Sequence, residues 1–343
     1  MNNDHFVNPI VRAVQPAGAA DPSVVFHDGW YYYCKSLGDN AIGIARALRL
    51  QDIGRAPMVV VWRPPATTPY SEQVWAPELQ CVRGRWVIYF AASDGHNHNH
   101  RMYALEHAGD DLQQGWRLRG QLATPDDCWA IDGLTLEHEG ALFHVWSGWR
   151  GRDDGFPQVL YLAPMSDPFT ISGERVEIAA PEHDWECRGA PLLEGPALLQ
   201  REGRTFIAYS ASASWSDDYA VGLLTFDGRD IRSRLSWTKA PLPVMRGHAE
   251  RGIYGPGHNS FTTSPDGQEH WIVYHAIDES GGGWSRRSVR AQPFGWDARG
   301  VPVFDLPVAA GAAIREPSGT PALPQPTAAP RLNASRVAAP RPR

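Results

Sequence analysis

A chain of 343 residues with 43% hydrophobic residues is long enough for one large domain or two ordinary ones around a sizeable core. Its net charge of −6, with both signs interspersed, argues against a nucleic-acid or membrane-surface partner. No stretch approaches the roughly eighteen consecutive apolar residues of a membrane-spanning helix.

Fourteen tryptophans are an unusual share. Such an excess suits flat, amphipathic ligands such as sugars, and it equally suits an all-β protein that uses aromatics in its sheets. The start, Met1 to His5, has neither a basic nor an apolar leader region, and the expectation from it is a cytoplasmic protein. Cys34, Cys81, Cys128 and Cys187 lie far apart without CxxC spacing, which reads as buried free thiols in a reducing compartment.

Helical periodicity is almost absent between residues 1 and 315, and short runs of β-branched and aromatic residues recur between Gly, Asp and Asn turns. One signature returns five times, a tight turn with Gly followed by an aromatic strand. The copies begin at His27, Arg83, His138, Arg201 and Asp266. Their turn glycines, Gly29, Gly84, Gly140, Gly203 and Gly267, are 55, 56, 63 and 64 residues apart. Before each copy stands a short strand carrying a polar group: DPSVVF at Asp21, WAPELQCV at Trp75, IDGLTLE at Ile131, EGPALLQ at Glu194 and GHNSFTT at Gly257. After each comes a third strand: IGIARA, HRMYALE, VLYLAPM, YAVGLLTF and SVRAQPF. Repeated antiparallel strands at this period predict an all-β, five-bladed β-propeller over residues 1–315. Residues 316–343 are rich in Pro, Ala and Arg without an apolar face, and a disordered tail is expected there. Its Asn333-Ala-Ser sequon would matter only in a secretory pathway.

In a propeller the first strand of each blade lines the central channel. Asp21, Glu78, Asp132, Glu194 and His258 are therefore expected to converge on the axis. Gathering four carboxylates and an imidazole is costly without a use, because buried charges need partners. Glycosidic cleavage needs one protonated carboxyl to donate to the leaving oxygen and one ionised carboxylate opposite, with a third raising the pKa of the acid. Asp21, Asp132 and Glu194 supply such a set. Glu186, in Trp-Glu-Cys, is a local rival for Glu194, and Glu78 reads as a support for backbone or for His258. His96, His98 and His100 alternate with Asn and would share one face on a strand, as a metal site requires, but they follow Asp94-Gly95 in a polar connection that reads as a loop.

Asp-Pro-Ser-Val at Asp21, Trp-Ala-Pro-Glu-Leu at Trp75, Ile-Asp-Gly at Ile131, Glu-Gly-Pro at Glu194 and Gly-His-Asn-Ser at Gly257 resemble, in series, glycoside hydrolase family 43. The stretches DGHNHNHRMYALE, SASASWSDDYAVGLLTF and RAQPFGWDARGVPVF look like its α-L-arabinofuranosidase branch. The resemblance implies Asp21 as general base, Glu194 as general acid and Asp132 as the group that tunes and orients Glu194. It also implies inversion, with base and acid roughly 6.5–9.5 Å apart. Arg287 matches an arginine that contacts the sugar. His258 matches a histidine near the axis that approaches a central calcium ion through water, although calcium itself prefers oxygen ligands. Trp75 is either a stacking surface for a sugar ring or a core residue.

The expected activity is exo-acting release of terminal arabinofuranose from arabino-oligosaccharides or arabinoxylan, as in hemicellulose degradation, by a monomer that requires no cofactor. β-Xylosidase, endo-α-1,5-L-arabinanase and a sugar-binding propeller without catalysis are the alternatives.

Overall fold

The computed structural model describes residues 4–13 and 19–322. It confirms the five-bladed β-propeller. Each blade is an antiparallel meander: residues 23–62, 72–121, 130–179, 193–239 and 254–303 form blades I to V. Blade III carries a fifth short strand. In blades I to IV the predicted glycine turn is a two-residue hairpin loop, with His27 opposite Trp30, Val82 opposite Arg85, His138 opposite Ala141 and Arg201 opposite Arg204. Both loop residues are left-handed in all four, as a hairpin turn matched to strand twist demands (Asp28 φ 47° and Gly29 φ 80° in blade I).

Apolar cores lie between neighbouring blades. Val87, Tyr89, Trp146 and Tyr161 join blades II and III, while Leu134, Val145, Ile207 and Leu224 join III and IV. The ring closes where Val24, Tyr31 and Tyr33 of blade I meet Trp271, Val273 and Val289 of blade V. The chain ends reinforce this seam. His5–Val7 pairs with Ala313–Arg315, and the buried Asn8 side chain bonds both backbone groups of Ala291, at 2.9 and 3.0 Å.

The first residues assigned to the tail are held against the propeller. Glu316 pairs with Arg49 and accepts from Gln51 at 2.8 Å, and the Ser318 hydroxyl donates to Asp266 at 2.7 Å. The remainder of the tail call, residues 323–343 with the Asn333 sequon, lies outside the described residues. All four cysteines are free; Cys34 and Cys128 are buried, whereas Cys81 and Cys187 are exposed, contrary to the expectation of four buried thiols. Cys81 is on the inner strand Glu72–Val82 but points out of its core face, and Cys187 follows the short helical turn Asp184–Glu186. Among the described residues, no helix is long and apolar enough to cross a membrane.

The inner strands share a defect that positions the site. Their pairing with the second strand slips between Trp75 and Glu78, Ile131 and Leu134, Glu194 and Ala197, and Gly257 and Ser260. At each slip one residue is left-handed: Ala76 (φ 40°), Asp132 (55°), Gly195 (53°) and His258 (42°). Asp21, just before the inner strand of blade I, has φ 47°. A bulge releases a residue from the ladder and re-aims its side chain, and a left-handed non-glycine residue costs of the order of 1–3 kcal/mol. Three of these strained residues, Asp21, Asp132 and His258, are the ones the motifs single out.

Candidate active site

A cavity of about 780 Å³ opens at this end of the axis, and Asp21, Trp75, Asp132, Glu194, His258 and Arg287 all line it. Five blades thus contribute to one pocket. The remaining wall is largely aromatic, with Trp129, Trp149, Phe156, Trp215 and Trp284. Trp129 and Trp149 stack 4.7 Å apart and nearly parallel. One face of Trp75 stacks on the buried His100 ring at 3.8 Å, and the residue borders the cavity.

Asp21 is surrounded by nitrogen. Its Oδ1 lies 3.4 Å from His258 Nδ1, 3.3 Å from His275 Nδ1 and 3.4 Å from Arg287 Nη1. Burial works against its charge, but attraction to His258 and Arg287 and the His275 hydrogen bond outweigh that, so the carboxyl is held well below the usual range. Glu194 has the opposite surroundings. Burial and then the neighbouring Asp132 push it up to about 8, against the opposing hydrogen bond from the Tyr219 hydroxyl at 2.8 Å. Asp132 is pushed up to about 6, chiefly by burial, although His258 attracts its charge; its Oδ2 accepts from the Gly195 amide at 3.0 Å. That bond ties Asp132 to the residue after Glu194. A side chain at Gly195 would crowd the His258 ring at 3.1 Å, which accounts for the glycine in Glu-Gly-Pro.

His258 is the hub. Burial disfavours its charge, yet Asp21, Asp132 and Glu78 overcome this and raise it to about 10. Glu78 Oε1 sits 3.1 Å from its Nε2, and its backbone amide donates to the Ser210 hydroxyl at 2.7 Å. The donor set does not fit calcium. That ion takes about six to eight oxygen ligands, whereas both ring nitrogens here face carboxylates. Among the described residues, no three His, Cys, Asp or Glu side chains are grouped to hold a metal ion.

Two residues of the site take no role from the sequence motifs, although Tyr219 lies within SASASWSDDYAVGLLTF. Tyr219, fully buried, donates to Glu194 Oε1 and stacks on His275, ring planes 5° apart. His275, held neutral because burial lowers its pKa to about 4, touches Asp21. The signal for His275 was a polar residue interrupting the apolar strand His270–Ile277. Gly257 leaves the space that Tyr219 fills, since a Cβ there would fall 2.2 Å from its ring.

The rivals separate cleanly. Glu186 is fully buried away from the cavity, where it receives the Tyr209 hydroxyl at 2.7 Å and Lys239 Nζ at 2.7 and 2.8 Å. It is a structural ion pair. The histidine trio is divided by a short helical turn, Asn97–Asn99. His96 pairs with Asp94, His98 approaches Asp153, and His100 lies under Trp75.

Comparison with known proteins places this geometry. The model of glycosyl hydrolases family 43 matches residues 6–302, and the chain belongs to that family. It is 37% identical over 316 residues to an extracellular exo-α-(1→5)-L-arabinofuranosidase of Streptomyces avermitilis, covering 89% of this chain and 64% of that protein. It therefore spans somewhat under two thirds of that relative's length. A second protein of the same name, from Streptomyces chartreusis, is 36% identical over 79% of this chain and 82% of its own. Among solved structures, an α-L-arabinofuranosidase from Lactobacillus brevis superposes with a TM-score of 0.81 at 35% identity, covering 90% of this chain and 98% of that one.

These relatives overturn the cytoplasmic expectation. Both Streptomyces proteins are named extracellular.

Proposed function

We propose that the protein is an inverting, exo-acting α-L-arabinofuranosidase that removes terminal arabinofuranose from arabino-oligosaccharides or arabinoxylan. The observation that carries this reading is the opposed charge state of two carboxyls lining one cavity, Asp21 ionised and Glu194 protonated near neutral pH. The names of the similar proteins support the choice of sugar.

In this mechanism Asp21 takes a proton from water as the water oxygen bonds to the anomeric carbon. Glu194 gives its proton to the glycosidic oxygen as the bond from that oxygen to the anomeric carbon breaks. Attack from the face opposite the leaving group inverts the configuration. The proton then returns from Asp21 to Glu194 through solvent. Tyr219 donates to Glu194 Oε1, which leaves Oε2 to carry the transferable proton. Asp132 keeps Glu194 protonated through like-charge repulsion. Arg287 and His258 hold Asp21 ionised and stand at the cavity wall as sugar contacts.

The test is hydrolysis of aryl α-L-arabinofuranoside beside aryl β-D-xylopyranoside by the wild type and Glu194→Ala. Expected are preferential arabinofuranoside turnover, a loss of roughly 10²–10⁴-fold in the variant, and recovery on a substrate whose leaving group needs no protonation. Preferential xyloside turnover would move the assignment to β-xylosidase. Turnover of neither substrate would sink the exo-enzyme reading.

A further inference from the structure

Trp215 and Trp284 are large apolar side chains left 43% and 53% exposed, and both line the same cavity as the carboxyls. Isolated exposed aromatics are ordinary. This pair is different because it is held in place without being buried. The rings meet edge to face at 5.5 Å, although Trp215 follows the second strand of blade IV and Trp284 precedes the third strand of blade V. Trp284 Nε1 donates across the blades to the Ser214 hydroxyl at 3.1 Å. Asp217 adds a second tie from blade IV, accepting from the Gly281 amide at 3.0 Å and from the Ser280 hydroxyl. The same short turn, Trp284–Arg286, leads directly into Arg287, which touches Asp21. Phe156, 49% exposed, lines the same cavity.

We infer that Trp215 and Trp284 form a preorganised platform for the second sugar unit of the substrate, the one that leaves. The ligand class is a neutral pentose ring, whose C–H face covers indole while its hydroxyls remain in water. Two cross-blade ties fix the platform before substrate arrives, so little side-chain entropy is lost on binding. The inference rests on the glycosidase reading above and adds chain-length preference to it: oligosaccharides are better substrates than simple glycosides.

The experiment compares kcat/KM for α-1,5-linked arabinotriose with that for methyl α-L-arabinofuranoside, in the wild type, Trp215→Ala/Trp284→Ala and Trp284→Phe. The expected result is a ratio about ten-fold lower in the double alanine variant, with most of it kept by Trp284→Phe, which retains a flat ring. A ratio within two-fold of wild type in the double variant would overturn the platform. If the wild type cleaves neither glycoside, the enzymatic reading fails, and quenching of tryptophan fluorescence by arabinotriose decides the platform. Quenching abolished in the double variant supports it; no quenching in the wild type refutes it.

Discussion

Asp21 and Glu194 carry the same functional group on two walls of one cavity, and their surroundings drive them to opposite charge states. Burial disfavours ionisation at both. At Asp21 it is overcome by two cationic side chains and a neutral imidazole within 3.4 Å. At Glu194 it is reinforced by Asp132, with one phenol in opposition. The opposed charge states thus come from what the neighbouring blades bring to each carboxyl. The carboxyls themselves are interchangeable in chemistry.

The sharpest way to break this contrast is to neutralise each carboxyl and measure stability. Asp21 contributes stability above the ordinary aspartate pKa of 3.8, lost only as pH falls toward its lower folded value. Asp21→Asn leaves Arg287 and His258 without their shared counter-charge and should cost about 3 kcal/mol at pH 7. Calorimetry should show its Tm falling by several degrees. Glu194 behaves in the opposite sense, because its folded pKa lies above the ordinary 4.5. Its penalty grows as pH rises from there to about 8. Glu194→Gln should therefore melt higher than wild type at pH 8.5, by roughly 1–3 kcal/mol, while losing activity. Equal shifts of one sign in both variants would contradict the assigned charge states.

A smaller effect is expected at Asp132. Removing its charge in Asp132→Asn lowers the pKa of Glu194, so the basic limb of the pH profile of kcat/KM moves about one unit toward acid. An unmoved limb would restrict Asp132 to holding the Gly195 amide. Smallest is Tyr219→Phe. The lost hydrogen bond had favoured the Glu194 carboxylate, so the same limb moves toward alkali by less than about one unit, with kcat reduced roughly five-fold. Opposite limb shifts in these two variants are a result that general loosening of the pocket would not produce.

Much of the architecture was legible because its causes are local. A glycine that must be left-handed in a two-residue turn marks the first hairpin of each of blades I to IV, and such turns repeat at the blade period. The carboxylates were legible for a related reason: Asp-Pro-Ser, Ile-Asp-Gly and Glu-Gly-Pro each record the start or bulge of an inner strand. The Glu-Gly-Pro context and the Gly203 hairpin that follows favour Glu194 over Glu186, but the surroundings of each could not be read locally. Their fates depend on Lys239 and Tyr209 in one case and on Asp132 and Tyr219 in the other. The histidine trio lies in a connection that reads as a loop, and the short helical turn there means that their alternation marks no shared face. Tyr219 and His275 escaped notice because stacking and hydrogen bonding to distant partners leave little mark in a neighbouring sequence.

What the sequence alone determined is therefore the strand and turn chemistry, the number of blades and the identity of the carboxyls brought to the axis. Only the tertiary structure decided which of them is charged. Electrostatic fate depends on distances of a few ångströms between groups far apart in the chain, such as Asp21 and Arg287, 266 residues apart and in contact only because the ring closes.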